Sequence, residues 1–198
     1  PEILDFYAGL DREIGRLLAA GAVVVVTADH GMNAKQNADG SPNIIYLESE
    51  LCEAFGPGFR VILPITDPYV AHHGALGSFA QVHLPRGLAA GPVINWLRAR
   101  AGVTECLDRD TAARLMDLPP DRMGDLVVAS ARDVVLGRTP DYHDLKALHG
   151  ALRSHGGRYE EMVPLVFSGP LSAAYAAVVA ADVRNFDIFE IACNGVVG

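Results

Sequence analysis

A run of four valines near the start of the chain constrains the fold more than any other feature. The stretch Ala22–Lys35 reads AVVVVTADHGMNAK, in which five consecutive apolar residues shortly precede Asp29 and His30. A short β-branched run of this kind predicts a strand that is buried on both faces of a parallel sheet. Ligands of open α/β sheets bind just beyond the carboxyl ends of the strands. This carboxylate and this imidazole are therefore placed where chemistry is expected.

The residues on either side of the valine run predict further helices and strands. Apolar residues recur at helical spacing from Ile3 to Leu18 and predict a first helix. The sequence VPLVF at 163–167 predicts a second buried strand, and two helices are expected after it. Between these parts, shorter strands alternate with helices. We therefore expect an α/β core built from residues 1–42 and 147–198, with residues 43–146 inserted as a small α+β lobe.

Composition excludes several classes of function. The net charge of −8, without a cluster of lysines or arginines, argues against nucleic-acid binding. Cys52, Cys106 and Cys193 are widely separated and form no CxxC pair, which indicates reduced thiols and predicts a cytoplasmic protein. No apolar run reaches the roughly 18–20 residues that a membrane span requires. We therefore expect neither nucleic acid nor membrane as a partner.

Three residues are the main candidates for metal ligands. A carboxylate oxygen beside an imidazole nitrogen, as in Asp29 and His30, suits zinc or a similar divalent ion. The alternative is that Asp29 caps a helix and His30 is an ordinary loop residue. His155 precedes two glycines and can be presented on a loop, although it could also satisfy a nearby carbonyl. For the pair His72 and His73, hydrogen bonding across a turn is the favoured interpretation.

Four segments together resemble the alkaline phosphatase superfamily and, within it, the phosphonoacetate hydrolases, which are zinc enzymes that cleave a carbon–phosphorus bond. They read TADHGMNAK, VILPITDPYVAHHGALGSFA, SHGGRYEEMVPLVF and RNFDIFEIA. The resemblance implies an alkaline-phosphatase-like core sheet with helices, a cap lobe over the site and two zinc ions. Asp29 and His30 match the adjacent pair on one zinc, and His155 matches the later histidine on the second.

The resemblance also implies residues that this chain does not contain. The family's nucleophilic threonine, its Asp-x-x-x-His zinc ligands and its substrate-binding lysines would all lie before Pro1. We therefore expect the chain to be the C-terminal half of a longer enzyme and to be inactive alone. The implied reaction of the whole enzyme is hydrolysis of phosphonoacetate to acetate and phosphate through a phosphothreonine. A homodimer is the implied assembly.

Two other functions remain as alternatives. One is a different hydrolase of the superfamily, a phosphodiesterase or phosphatase, since these share the metal ligands. A cation that binds the substrate carboxylate would favour phosphonoacetate, and Lys35, Arg60 and Arg86 are candidates for it. Thr27 and Asn33 are candidates for hydrogen bonds to the metal ligands. The second alternative is a non-catalytic α/β interaction module, which zinc content would distinguish because such a module needs no stoichiometric metal.

Overall fold

The computed structural model describes residues 2–64, 76–148 and 150–197 and shows a mixed α/β chain that divides into two compact units. The smaller unit consists of Pro1–Asp29 and Met162–Gly198, and the larger unit of His30–Glu161. Residues 30–42 and 147–161 thus belong with the larger unit. The assignment of residues 43–146 to a cap lobe inserted in an α/β core stays a prediction.

Six α-helices and ten strands are found in the described parts of the chain, together with five short 3-10 helices. The helices are α1 (Glu2–Ala19), α2 (Leu47–Phe55), α3 (Ala90–Ala99), α4 (Arg109–Met116), α5 (Ala173–Ala181) and α6 (Ile188–Asn194). The strands are β1 (Val25–Thr27), β2 (Asn33–Ala34), β3 (Ile44–Tyr46), β4 (Arg60–Ile62), β5 (Phe79–His83), β6 (Val103–Asp108), β7 (Leu126–Ser130), β8 (Val135–Gly137), β9 (Arg153–Ser154) and β10 (Leu165–Phe167). No helix in these parts is both long enough and apolar enough to cross a membrane.

The core of the larger unit is an antiparallel sheet with the strand order β4-β5-β7-β6. Strand β7 lies in its interior and is buried at every position because both of its faces are covered. Leu126 and Val128 belong to the main apolar cluster, which includes residues of α2 and α3. Val127 points to the opposite face and packs with Ala112 of α4. The alternation of short strands with helices that the sequence predicts for residues 43–146 is confirmed where the structure describes that range.

The smaller unit pairs β1 with β10 in an antiparallel ladder, Val26 lying opposite Val166. The valine run therefore does form a strand, but the prediction of a parallel strand buried on both faces is wrong for this chain. Val23 and Val26 are 55% and 39% exposed, and Val166 in the second predicted buried strand is 57% exposed. The physical reason is that β1 pairs with β10 alone among the described residues, and a ladder of three residues covers little surface.

The first helix is confirmed as α1, and Gly21 follows its end with a positive φ of 83°, a conformation that favours glycine. The helix is amphipathic, yet none of its residues is buried. Its large apolar side chains are exposed: Ile3, Leu4, Phe6, Tyr7, Leu10, Leu17 and Leu18. Most of the stabilising apolar burial thus lies in the larger unit, which also carries two of the three candidate ligands.

Candidate metal centre

A two-residue ladder brings His30 and His155 together in the larger unit. His30 precedes β2 and His155 follows β9, and these strands pair antiparallel with Asn33 opposite Ser154. The two half-buried imidazole rings stack, with their centroids 3.6 Å apart and their planes 10° from parallel. The structure therefore places side by side two histidines that are far apart in the sequence.

Backbone contacts fix both histidines locally. The Nδ1 atom of His30 lies 2.8 Å from the carbonyl oxygen of Gly31 and donates to it, because a carbonyl can only accept. A neutral imidazole with its proton on Nδ1 carries the lone pair on Nε2, the tautomer that binds metals through Nε2. The carbonyl oxygen of His155 accepts from the backbone N–H of Ser78 at 2.8 Å, which anchors the second histidine to the segment before β5.

Asp29 lies in the smaller unit, on an exposed bend after β1. Its carbonyl oxygen accepts from Nδ2 of Asn185 at 3.4 Å, and the same amide donates to Ala28 at 3.2 Å. The chain is not helical from 28 to 32, so the alternative in which Asp29 caps a helix is wrong. Its role as a metal ligand stays a prediction.

The geometry of the two rings bears on how they could bind metal. The lone pair of an imidazole nitrogen lies in the ring plane, so stacked parallel rings direct their lone pairs side by side and not to one point. One zinc ion within about 2.0–2.1 Å of both nitrogens is therefore disfavoured. The spacing of the rings instead resembles the roughly 3.5–4 Å between the ions of two-metal sites. Imidazole nitrogens suit zinc, but no described group of three or more His, Cys, Asp or Glu side chains is arranged to hold an ion.

Lys35 was a candidate for binding the substrate carboxylate, and the structure shows that this prediction is wrong. The side chain is fully buried, and its ammonium nitrogen already donates to three acceptors. These are Ser78 Oγ at 2.6 Å, the carbonyl oxygen of Arg132 at 2.7 Å and Glu160 Oε1 at 2.9 Å. An ammonium has three N–H donors, so none is left for a substrate. Arg60 and Arg86 are both exposed, and their role stays a prediction.

Glu160 completes this network, and the sequence analysis did not identify it. Its Oε1 accepts from Asn33 Nδ2 at 2.5 Å as well as from Lys35, and its Oε2 accepts from the backbone N–H of Gly157 at 3.0 Å. Burial raises the pKa of this carboxyl, but the bonds from Asn33, Lys35 and Gly157 lower it more, so the pKa lies below its ordinary value. Asn33 also accepts from Arg132, so it belongs to the network of Lys35 and Glu160.

Three further sets of predicted residues remain: the other histidines, the pair His72 and His73, and Thr27, a candidate for a hydrogen bond to a metal ligand. His143 is buried, its Nε2 accepts from the backbone N–H of Arg138 at 2.9 Å, and its ring packs near Tyr46 and Tyr142. Thr27 donates to the neighbouring carbonyl of Ala28 at 3.5 Å. His72, His73 and His149 lie outside the described residues.

The similarity to solved structures identifies the relatives of the chain. No protein-family model matches it. Two crystal structures of phosphonoacetate hydrolase from Sinorhizobium meliloti 1021, one with phosphonoformate and one with phosphonoacetate, match 97% of the chain at 45% identity and a TM-score of 0.84. The chain is a relative of phosphonoacetate hydrolase. It spans 46% of the length of those phosphonoacetate hydrolase chains.

A more distant structure shows how widely the fold is shared. Murine ectonucleotide pyrophosphatase/phosphodiesterase 5 matches 96% of the chain, which spans 51% of that protein, at 16% identity and a TM-score of 0.56. At this identity the likeness concerns the fold alone. The mixed α/β fold is thus common to phosphonoacetate hydrolase and to this murine protein.

Proposed function

We propose that this chain is the C-terminal part of a metal-dependent hydrolase that cleaves the carbon–phosphorus bond of phosphonoacetate. The observation that carries the proposal is the 45% identity, over 97% of the chain, to an enzyme crystallised with phosphonoacetate. The products are acetate and phosphate, and one water is consumed. The proposed substrate is a small phosphonate anion, and the chain has a net charge of −8. Cationic side chains or metal ions must therefore offset the repulsion between substrate and protein at the site.

His30 and His155 would hold two different ions in this proposal, and Asp29 would join His30 on the first. The support for two ions is the parallel stacking of the rings, which directs their lone pairs side by side. Zinc is proposed because imidazole and carboxylate donors suit it. Bound metal ions would offset charge on the phosphoryl oxygens and lower the pKa of the attacking group.

The reaction proposed for the complete enzyme has two steps. A threonine hydroxyl, supplied by the half that this chain does not span, attacks phosphorus and gives a phosphothreonine. The bond to the methylene carbon breaks, and acetate leaves as the enolate of its own carboxylate before taking up a proton at carbon. Water then releases phosphate from the threonine. In this scheme His30, His155 and Asp29 act as ligands and not as general acids or bases.

A cytoplasmic location is also proposed, from the state of the cysteines. The three cysteines are free, as expected in the reducing cytoplasm. A homodimer of the complete enzyme is proposed from the resemblance.

Ligand substitution in the complete protein tests the assignment of these residues. Asp29→Ala and His30→Ala should each lose about one zinc per chain and nearly all cleavage of phosphonoacetate, because removing one of about four ligands opens the site. His155→Ala should lose the other zinc. Metal content is measured by elemental analysis, and acetate and phosphate by NMR. His83→Ala, which removes a histidine from β5, is the control and should keep both ions.

The assignment fails if all three ligand variants retain both ions. A complete protein that binds zinc but cleaves only phosphate monoesters or diesters would replace the proposed substrate with that of another hydrolase of the superfamily. A protein without zinc or hydrolytic activity would favour the non-catalytic module.

A further inference from the structure

A buried ion pair lies at the same distance in sequence from each stacked histidine. Lys35 follows His30 by five residues, and Glu160 follows His155 by five. Their charged atoms are 2.9 Å apart, and the two side chains are 0% and 1% exposed. Lysine and glutamate are almost never fully buried unless they are paired. The proposed metal chemistry uses neither residue, so their burial needs another explanation.

General stabilisation is a poor explanation for this pair. Removing two charges from water carries a desolvation penalty that offsets much of their mutual attraction, so a buried salt bridge is weak evidence of stability. The best-attested use of such a pair is to fix one register among several. Here every polar atom of the pair has partners: Lys35 donates to Ser78 and Arg132, and Glu160 accepts from Asn33 and Gly157. Such a fully bonded pair tolerates little displacement.

The pair joins the two segments that carry the histidines. The backbone N–H of Gly31 donates to the carbonyl of Glu160 at 2.7 Å, and Asn33 Nδ2 donates to the carbonyl of Tyr159 at 3.2 Å. The backbone N–H of Lys35 donates to Leu152 at 2.9 Å. The β2–β9 ladder between these points has only two residue pairs. Its pairs, Asn33–Ser154 and Ala34–Arg153, bury no large apolar side chain, so the hydrophobic pattern specifies the register of this ladder only weakly.

A change of register would move one ring by about the whole spacing between the rings. Each residue of a strand advances by about 3.3 Å. The two ring centroids are 3.6 Å apart, so a slip of one residue would abolish the stacking.

We propose that the Lys35–Glu160 pair is a positioning device that fixes the register of β2 against β9 and thereby the spacing of the His30 and His155 rings. The contacts within the larger unit support the effect on ring spacing. The effect on metal affinity rests on the proposed function.

The test uses the complete protein carrying Lys35→Met, Glu160→Gln or both substitutions. In metal-free protein, NMR of the imidazole protons reports stacking, because each ring shields the protons of its neighbour. Zinc alone is then titrated in competition with a chelator. We expect every variant to lose the shielding of His30 and His155. The Kd for zinc should rise by about 10–100-fold, as for other residues that orient metal ligands. Glu48→Gln, which alters the ion pair between α2 and Arg138, is the matched control and should change neither quantity.

The double substitution separates positioning from stability. Lys35→Met alone leaves the Glu160 carboxylate buried without its cation. The double variant buries no charge at this position, so it should unfold at a higher urea concentration than Lys35→Met does. It should nevertheless remain defective in ring shielding. If Lys35→Met does not fold, Glu160→Gln and the double variant decide the question.

Retained shielding and an unchanged zinc Kd in the folded variants, with only the unfolding midpoint lowered, would overturn the proposal. So would an absence of shielding in the wild-type protein. If the wild-type protein binds no zinc and the variants lose the ring shielding, the positioning role is supported and the proposed function is refuted.

Discussion

Among single residues, the buried ion pair of Lys35 and Glu160 exists only because the Glu160 carboxylate stays ionised. Desolvation alone would raise the pKa of Glu160 and favour its neutral form. Hydrogen bonds from Asn33 and Lys35 outweigh that effect and hold the pKa below its ordinary value of 4.5. The charge is therefore retained near neutral pH, and two consequences can be measured.

The first consequence concerns stability near pH 7. Lys35→Met should lower the free energy of unfolding by roughly 3–5 kcal/mol, because it leaves the buried Glu160 carboxylate without its counter-ion. Urea unfolding monitored by circular dichroism measures the change. The control is Arg16→Met, which breaks the exposed ion pair with Glu13 and should cost less than about 1 kcal/mol. Equal losses in the two variants would show that the buried pair has no special role.

The second consequence concerns acid. Because the pKa of Glu160 is lowered on folding, the carboxylate stabilises the folded state above pH 4.5, its ordinary pKa, and this contribution is lost as the pH falls through the lowered value. As the pH falls from 4.5 through the lowered pKa, the free energy of unfolding of the wild-type protein should therefore decrease more steeply than that of Glu160→Gln. Denaturant unfolding at a series of acidic pH values gives both slopes. Parallel slopes would mean that Glu160 binds protons equally in the folded and unfolded states.

At the scale of elements, most of the fold could be predicted from sequence patterns, and the pairing that forms the site could not. The apolar period of α1 and the alternation in β5 are local signals that one segment carries by itself. The two-residue strands β2 and β9 have no such signal, because their ladder exists only once distant segments meet. The resemblance identified His30 and His155, but their stacking depends on that ladder.

The same reasoning explains the errors. Sequence patterns place charged residues at the surface by default, so Lys35 is a candidate for binding the substrate on the sequence alone, and Glu160 is a candidate for no role. A run such as AVVVV predicts burial, but the burial requires neighbouring strands that the pattern does not supply. The described residues give β1 only β10 as a partner, and the strand stays partly exposed.

One element has a local cap that can be tested independently of the site. Asp108 precedes α4, and its carboxylate accepts from the backbone N–H and the hydroxyl of Thr111, each at 2.9 Å. These bonds lower the pKa of Asp108. Asp108→Ala should cost about 1 kcal/mol in urea unfolding at pH 7, whereas Asp108→Asn should retain most of the stability because asparagine also caps helices. Similar losses in both variants would argue against the cap.

At the scale of the whole molecule, apolar surface is distributed unevenly. The larger unit has a continuous core, whereas α1 exposes most of its apolar face and β1 and β10 expose valines. Large exposed apolar patches mark interaction sites, ligand-binding grooves or surfaces prone to aggregation. The phosphonoacetate hydrolase chains are about twice as long as this chain. We propose that, in the complete protein, the part that corresponds to their additional half covers this surface.

This proposal predicts how the 198-residue chain behaves when it is expressed by itself. It should associate in solution and cleave no phosphonoacetate, while the larger unit keeps the strongest protection against hydrogen exchange. Light scattering and exchange of the α1 amides, compared between this chain and the complete protein, measure the effect. Phe6→Ser combined with Leu10→Ser should reduce association, and Glu13→Ser on the same helix should not. A monomeric, active chain with protected α1 amides would contradict the proposal.

His30 and His155 are proposed to hold two different ions of a phosphonate hydrolase. The most direct measurement is anomalous X-ray scattering at the zinc edge from crystals of the complete protein. We predict two peaks about 3.5–4 Å apart, one against the His30 ring with Asp29 beside it and the other against the His155 ring. A single peak shared by both imidazoles, or zinc bound at neither histidine, would contradict the claim.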